Sequence, residues 1–455
     1  MSDSQENILK FFEEQKDVWE ARATKGIEKY RKGDARITVT DQDGKPVSGV
    51  KIKLTQKSHE FRFGANLFML DELETGEKNE KYKKYFADLF NMATLPFYWY
   101  SVEPEQGKTR YAKDSSGFYR RPPIDLCMEF CEQHGIEPRE HGLAYDHFFP
   151  SWLTESSVDE IKRAMEKHFQ EVSERYADKI RTIEVTNEME WETGKTAIYD
   201  EPDYVEYSFK LAEKYFPGNQ LVINEGARLA WGTVNRLWGD AGRTTDKYYA
   251  YIEANLLKGA RIDAIGMQYH LFNYPRETAY EKTRRTLNPQ KLYHQMDLYA
   301  RFGKPLQITE VTVPAYSWEP EDEALQAELI EKLYTVWFSH PNVEQIIYWN
   351  LIDGYAYVDG VDPKEAQGNM PLGENKYYGG LLRFDLSPKP AYYKIKELTQ
   401  KVWHTEEERV TDASGAVHFR GFYGNYELEI DANGKKIVKS LALSSKGERN
   451  HTITV

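Results

Sequence analysis

From residue 61 to residue 351 the chain alternates eight times between a short apolar run and a helix-length stretch. The runs lie around 61–68, 91–100, 139–146, 182–188, 221–225, 262–270, 305–311 and 345–351. Helical periodicity fills the gaps, for example from Val158 to Tyr176 and from Glu323 to Phe338. Eight strand–helix units over about 340 residues are what a (β/α)₈ barrel requires, so the expected class is α/β, a TIM barrel over residues 59–403. A doubly wound open sheet uses the same units, but no glycine-rich phosphate loop follows the first run.

The flanks follow other rules. Residues 5 to about 33 read as a charged amphipathic helix, with Ile8, Phe11, Phe12 and Trp19 on one stripe, so residues 1–35 form an N-terminal helical segment. From Arg36 to Leu54 two alternating strands surround Asp43-Gly44, a hairpin-like signal. Alternation returns after about residue 404, in runs beginning at Val417, Tyr426, Lys436, Leu441 and Thr452. Neither flank can bury its apolar face alone. The two are therefore expected to pack as one accessory antiparallel β-sandwich, 36–58 with 404–455, with the barrel inserted between its strands. Asp41-Gln-Asp-Gly-Lys-Pro and Thr411-Asp-Ala-Ser-Gly resemble two halves of a transthyretin-like β-domain.

Hydrophobic residues make up 40 % of the 455, enough for a large core. A net charge of −13 argues against nucleic acid or an acidic membrane as partner. Aromatic residues reach 14 %, with 32 Tyr and 10 Trp, which suits either a large core or a cleft whose rings stack on sugars. Cys127 and Cys131, one helical turn apart, read as buried free thiols. No signal-type segment follows the polar amino terminus, and no run approaches the roughly 18 apolar residues that span a bilayer. The chain as given reads as cytoplasmic, or as secreted if a leader has been removed.

Two glutamates stand at the tips of apolar runs: Glu188 in Arg181-Thr-Ile-Glu-Val-Thr-Asn-Glu, and Glu310 in Pro305-Leu-Gln-Ile-Thr-Glu. They end runs four and seven, which face each other across the mouth of a closed barrel. Facing carboxylates are what glycoside hydrolysis needs, at roughly 5–5.5 Å for retention and 6.5–9.5 Å for inversion. With 73 acidic residues in the chain, the plainer reading is two rim carboxylates in salt bridges.

Around the pair, the sequence from about 60 to 395 resembles family 10 glycoside hydrolases, the endo-β-1,4-xylanase family. Asn187-Glu188 is similar to the acid/base motif and Ile308-Thr-Glu310 to the nucleophile strand. Ile262-Asp-Ala-Ile-Gly-Met-Gln-Tyr-His270 matches the sixth strand, and Arg139-Glu-His-Gly-Leu-Ala-Tyr145 more loosely the third. Glu103-Pro104, Tyr348-Trp349 with Asp353, and Arg383 to Tyr392 complete the order. The resemblance implies Glu188 as acid/base, kept partly protonated by burial and by Glu310, and Glu310 as nucleophile. It implies that His270 orients the nucleophile and that Asn187 binds a sugar 2-hydroxyl, although a core histidine and a strand-end asparagine read the same. His141 and Gln268 would line the same subsite, with Trp349 as a sugar platform. Tyr145, Trp99 and Tyr357 join them as candidate substrate contacts.

The departures bear on substrate. Where the family carries Thr-Glu-Asn-x-x-Lys-Trp, this chain has Thr94-Leu-Pro-Phe-Tyr-Trp-Tyr100. A hydrogen-bonding site on the non-reducing side has become apolar and aromatic. Asp146 replaces a histidine, Tyr357 a cleft tryptophan and Thr312 an aspartate. The expectation is a retaining, cofactor-free β-glycosidase, endo-1,4-β-xylanase-like, acting on a polysaccharide or oligosaccharide. A different or decorated β-glycan is the nearest rival, because sites built to bond a hydroxyl discriminate strongly. A non-catalytic glycan-binding barrel is the rival from another class. No His/Cys/Asp cluster at metal-ligand spacing appears, and oligomeric state is not fixed by the sequence.

Overall fold

The computed structural model describes residues 8–190, 194–232, 246–273, 278, 282–284, 286–358, 360–432 and 434–455. Its centre is a closed barrel of eight parallel strands: Arg62–Asn66, Met92–Pro96, Glu137–His141, Thr182–Asn187, Gln220–Asn224, Ala264–Gly266, Leu306–Thr312 and Val343–Tyr348. Each pairs with the next, and strand eight closes on strand one through Gln345 opposite Arg62 and Tyr348 opposite Ala65. A two-residue extension, Tyr269–His270, pairs onto strand seven opposite Val311 and Thr312. All eight expected runs become strands, with shifted bounds. The second stops at Pro96 and gives way to a short helix, Trp99–Val102; the third runs Glu137–His141 rather than 139–146.

The runs read as apolar because their outward positions meet the helices: Leu95, Ile183, Val185, Ile223, Ile308 and Ile346 are fully buried there. Helix Val158–Tyr176 shows the matching half of that contact. It opens with a Ser157–Glu160 capping box and buries Ile161, Met165, Phe169, Val172 and Tyr176. Cys127 and Cys131 are free and buried, as expected, and burial pushes the Cys131 thiol up to about 12.

The alternate, inward positions are polar. Gln307 donates to Gln220 at 3.2 Å and accepts from Gln345 at 2.9 Å near the amino-terminal end. Higher up, Arg139 on strand three donates to Glu184 on strand four, and neither side chain is exposed at all. The second oxygen of Glu184 meets His141 Nδ1 at 2.6 Å. Burying a polar group unpaired is costly, and these groups find counterparts across the barrel.

The flanking strands form two further sheets. Lys32–Thr40 lies between Ala416–Phe422 and Asn450–Thr454, while Lys51–His59 lies between Glu406–Val410 and Gly424–Ala432, with Lys435–Leu443 beyond. A separate apolar core, including Ile37, Leu54, Phe419 and Leu428, fills the space between them. N- and C-terminal segments thus build one accessory sandwich. Several details differ from the sequence reading. The strands around Asp43-Gly44 do not pair as a hairpin, since Lys32–Thr40 and Lys51–His59 lie in different sheets, and the first opens at Lys32, inside the stretch expected to be helical. The runs at Lys436 and Leu441 are one strand, and Arg36–Thr40 runs parallel, not antiparallel, to Asn450–Thr454.

The N-terminal segment forms helices Lys10–Glu14 and Lys16–Tyr30 and buries Ile8, Phe12 and Trp19 of the expected stripe. Positions 5–7 of that expected helix lie outside the described residues. Beyond it, Arg31 donates to the carbonyls of His340 at 2.5 Å and Val343 at 2.7 Å, tying the flank to the start of strand eight. Trp403 stacks on Phe338 at 4.2 Å and so joins the tail to the same end.

Burial alone would raise the Glu184 carboxyl, but Arg139 and His141 outweigh it and hold it down at about 2, against an ordinary 4.5. A depressed folded value stabilises above the unfolded value, and that stability is lost as pH falls through the folded one. Unfolding free energy by urea titration should therefore drop by about 3 kcal/mol between pH 4.5 and 2 on account of this group. Glu184→Gln should be less stable at pH 6, because Arg139 is left buried and unpaired, and should show a shallower slope in that window.

Candidate active site

The carboxyl-terminal ends of the strands open into a cleft of about 1090 Å³. Strand four delivers Asn187, and Glu188 follows it in a left-handed conformation, φ 50°. That conformation costs a non-glycine residue about 1–2 kcal/mol, and such outliers gather at functional positions. Strand seven delivers Glu310 from within its length. Gln268 sits between the two. Its Nε2 donates to Glu188 Oε1 at 2.8 Å and to Glu310 Oε1 at 3.0 Å. Two oxygens held on one nitrogen at those distances cannot be more than about 6 Å apart.

Each carboxylate has a further partner. Tyr145 hydroxyl donates to Glu188 Oε2. His270 Nε2 lies 3.1 Å from Glu310 Oε2, and its Nδ1 lies 2.9 Å from Thr312 Oγ1. Burial holds the His270 ring down at about 4, so it is neutral at pH 7 and one of its two nitrogens must accept. Burial, reinforced by the Glu188 charge and opposed by His141 and Arg139, places the Glu310 carboxyl well above the usual range. Carboxyls this close titrate as a pair, so the resulting proton belongs to both.

Asn187 Oδ1 accepts from Asn224 at 2.8 Å and from Gln268 at 3.2 Å, which leaves its Nδ2 as the end able to meet a ligand. Asn224 also reaches Glu310 Oε1 at 3.3 Å and is oriented by Thr309 Oγ1 at 2.7 Å. Space for it comes from Gly266, where an added Cβ would fall 2.4 Å from Asn224 Oδ1. One wall of the cleft is aromatic. Phe68, Tyr98, Tyr145 and Trp349 cluster there, with Tyr98 hydroxyl 2.9 Å from His141 Nε2.

Nine of the ten expected site residues line this cleft: Asn187, Glu188, His141, Tyr145, Gln268, His270, Glu310, Trp349 and Tyr357. Trp99 does not. It is buried against the helices, stacked on His168 at 4.3 Å, and its Nε1 donates to Glu103 at 2.9 Å. Strand two ends at Pro96, position 99 opens the helix Trp99–Val102, and the ring that faces the cleft is that of Tyr98. Asp146 is also turned away, accepting from the backbone N–H groups of Lys195 and Thr196.

Sequence reasoning missed Asn224, Tyr98, Arg120, Arg121, Glu225 and Glu374. Asn224-Glu225 had a visible signal, since Leu221-Val-Ile-Asn-Glu repeats the apolar run, Asn, Glu order of Asn187-Glu188. Burial pushes the Glu225 carboxyl up to about 8. Among the described residues, His141, Glu184 and Glu310 approach as a metal-binding group would, with donor atoms within 4.8 Å. Two of those three are already engaged, His141 by Glu184 and Tyr98, and Glu184 by Arg139.

Comparison with known proteins agrees with this geometry. Over 439 residues the chain is 23% identical to endo-1,4-beta-xylanase 1 of Arabidopsis thaliana, covering 94% of this chain and 39% of that protein. It is also 23% identical over 421 residues to the anti-sigma-I factor RsgI6 of Acetivibrio thermocellus, covering 92% and 47%. The chain thus spans less than half the length of these relatives. In structure it resembles xylanase 10B from Thermotoga petrophila RKU-1, solved in complex with xylobiose, with a TM-score of 0.57 at 22% identity over 75% of this chain and 95% of that one. Among the described residues, no helix is long and apolar enough to cross a membrane. The glycosyl hydrolase family 10 profile matches residues 58–398, three quarters of the sequence, and the chain belongs to that family.

Proposed function

We propose that the protein is a retaining glycoside hydrolase that cleaves β-1,4 linkages of xylan-type polysaccharide or oligosaccharide. The observation that carries this is the Gln268 bridge, which holds the nearest oxygens of Glu188 and Glu310 no more than about 6 Å apart, below the roughly 6.5–9.5 Å of inverting pairs and compatible with the roughly 5–5.5 Å of retaining ones. Glu310 attacks the anomeric carbon while Glu188 protonates the leaving oxygen. In the second half Glu188 deprotonates water, which releases the sugar from Glu310. The pair's shared proton must sit on Glu188 when substrate is bound. Three donors at Glu310, from Gln268, Asn224 and the His270 Nε2–H, favour its ionised form. Asn187 Nδ2 is aimed to meet a sugar hydroxyl, and Trp349 and Tyr145 offer faces for the ring.

His270 can donate to Glu310 only if its Nδ1 accepts, and Thr312 hydroxyl supplies that bond. Thr312 is a positioning residue in this reading.

A second reading has support from one relative, the anti-sigma-I factor, whose name is that of a regulator. A barrel in such a protein could bind glycan without turning it over. Incubation with plain and substituted β-1,4-xylans and β-1,4-glucans, with products separated by chromatography, decides between the two. For the enzyme, Glu310→Gln should lower kcat by about 10³-fold or more, and Glu188→Gln by about 10²–10⁴-fold. The first product seen by proton NMR should keep the β configuration. A binder would show no turnover, and its glycan affinity would survive Glu310→Gln. Thr312→Val should lower kcat about 10-fold with little change in KM, because it frees the His270 tautomer without touching substrate. Thr312→Ser should restore the rate; an unrestored rate would assign Thr312 a packing role only.

A further inference from the structure

Two adjacent arginines sit in the aromatic wall of the cleft. Arg120 and Arg121 precede Pro122-Pro123 and the helix Ile124–His134, and both line the cleft although only 4% and 3% exposed. A buried cation normally faces an acid. Among the described residues, Arg139 and Lys389, neither exposed at all, do so with Glu184 and Asp353, whereas the buried Arg110 beside this pair bonds the carbonyls of Ser101, Ser116 and Arg121. Among the described residues, neither Arg120 nor Arg121 makes an ion pair within 4.0 Å.

Their hydrogen bonds go to neutral groups. Arg120 donates to Asn350 Oδ1 at 2.8 Å and to the Tyr355 carbonyl, and Arg121 donates to the Arg120 carbonyl at 2.9 Å. The Nε of each is a buried donor with no acceptor. Arg120 also has a left-handed backbone, φ 60°. The acids whose charge reaches the pair, Glu374 at Arg120 and Glu72 at Arg121, stay beyond the 4.0 Å of an ion pair. Two like charges, buried side by side without counter-ions, await an anion.

The reacting pair is close. The Arg121 guanidinium lies over the Tyr98 ring at 3.8 Å, Tyr98 bonds His141, and the Tyr98 and Tyr145 rings are 6.2 Å apart. Tyr145 in turn holds Glu188. Trp349 belongs to the same wall: it packs on Phe68 at 5.2 Å, and Phe68 lies under the Arg120 and Arg121 guanidinium groups at 5.6 and 5.0 Å. The planar fork of arginine matches a carboxylate, especially when the ring beneath fixes its plane. Net charge is −13, and Glu190, Glu225 and Glu374 also line the cleft, which disfavours a densely charged polymer. Isolated carboxylates on a neutral backbone avoid that repulsion.

We propose that Arg120 and Arg121 bind the carboxylate of a uronic acid group, so that the substrate is a sparsely carboxylated β-1,4-glycan. The inference rests on the glycosidase reading above and adds the substrate's charge to it. A matched pair of ligands tests it: a xylo-oligosaccharide bearing one uronic acid branch, and the same molecule with that carboxyl reduced to an alcohol. Calorimetry on the Glu310→Gln protein at low salt should give about 10–100-fold tighter binding of the acid, the range of one to two charge-assisted hydrogen bonds. Added Arg121→Gln should bring the ratio close to one, and Arg121→Lys should leave part of it. Equal binding of the two ligands to the parent protein, which needs no arginine variant, overturns the proposal, as does a ratio that survives Arg121→Gln. Turnover of plain xylan by the unmodified enzyme is followed in parallel. Carboxylate-dependent binding without turnover of any xylan supports the arginine site and overturns the xylanase reading. Turnover of plain xylan without carboxylate discrimination does the reverse.

Discussion

Arg139, Glu184 and His141 form the polar centre on which the cleft is assembled. The guanidinium fixes one oxygen of Glu184, the imidazole takes the other at 2.6 Å, and the far nitrogen of that ring reaches Tyr98 at 2.9 Å. Strands three and four are thereby locked together, and the lock extends into the aromatic wall. The same charges lie beneath Glu310. Burial and Glu188 both favour a proton there, while His141 and Arg139 pull the other way. That opposition is partial, because the Glu310 carboxyl still lies well above the usual range and Glu184 adds to the rise; the hydrogen bonds from Gln268 and Asn224 favour its ionised form.

A closed barrel explains how the apolar and polar demands coexist. Outward positions satisfy the helices and make each run look apolar, whereas inward positions carry the hydrogen-bond network upward from Gln307 and Gln345, through Arg139 and Glu184, to Asn224 and Gln268. Each layer spans several strands, so the orientation of Glu310 depends on residues from strands five, six and seven together. Gly266 shows how tight this is, since strand six gives up a side chain so that Asn224 can stand there.

The two glutamates were legible in the sequence because a strand tip has a local signature: an apolar run that stops at a polar residue. Eight such runs at barrel spacing settle the architecture as well. Trp99 was misplaced because it stands where the family's second-strand motif carries its lysine, whereas here position 99 opens the helix Trp99–Val102 and its ring packs on His168, leaving Tyr98 to face the cleft. The tail strand Glu406–Val410 escaped notice because most of it is exposed and charged, with no apolar alternation to read. Arg120 and Arg121 were invisible for a deeper reason. They lie outside any periodic element, and only the closed barrel places them against Tyr98 and Asn350.

Those arginines also clarify what the rewritten wall does. Where the family's motif carries Glu, Asn and Lys, this chain has Leu95, Pro96 and Trp99, and Leu95 and Trp99 pack against the helices, so partners for sugar hydroxyls are lost and affinity for a neutral glycan falls. The rings of the wall lower the local dielectric around Arg121, with Tyr98 at 3.8 Å and Phe68 at 5.0 Å from its guanidinium. A carboxylate entering that environment gains more from the two cations than it would in water. The guanidinium groups, already stripped of solvent in the folded protein, add little further desolvation on binding. Apolar surroundings and unpaired charge are therefore one device rather than two: the hydrophobic wall withholds affinity from neutral hydroxyls and strengthens the response to an anion. In the proposed enzyme the reacting centre can stay as it is in the family while the substrate changes, because bond cleavage would be set by Gln268 and its two glutamates and selection by the wall beside them.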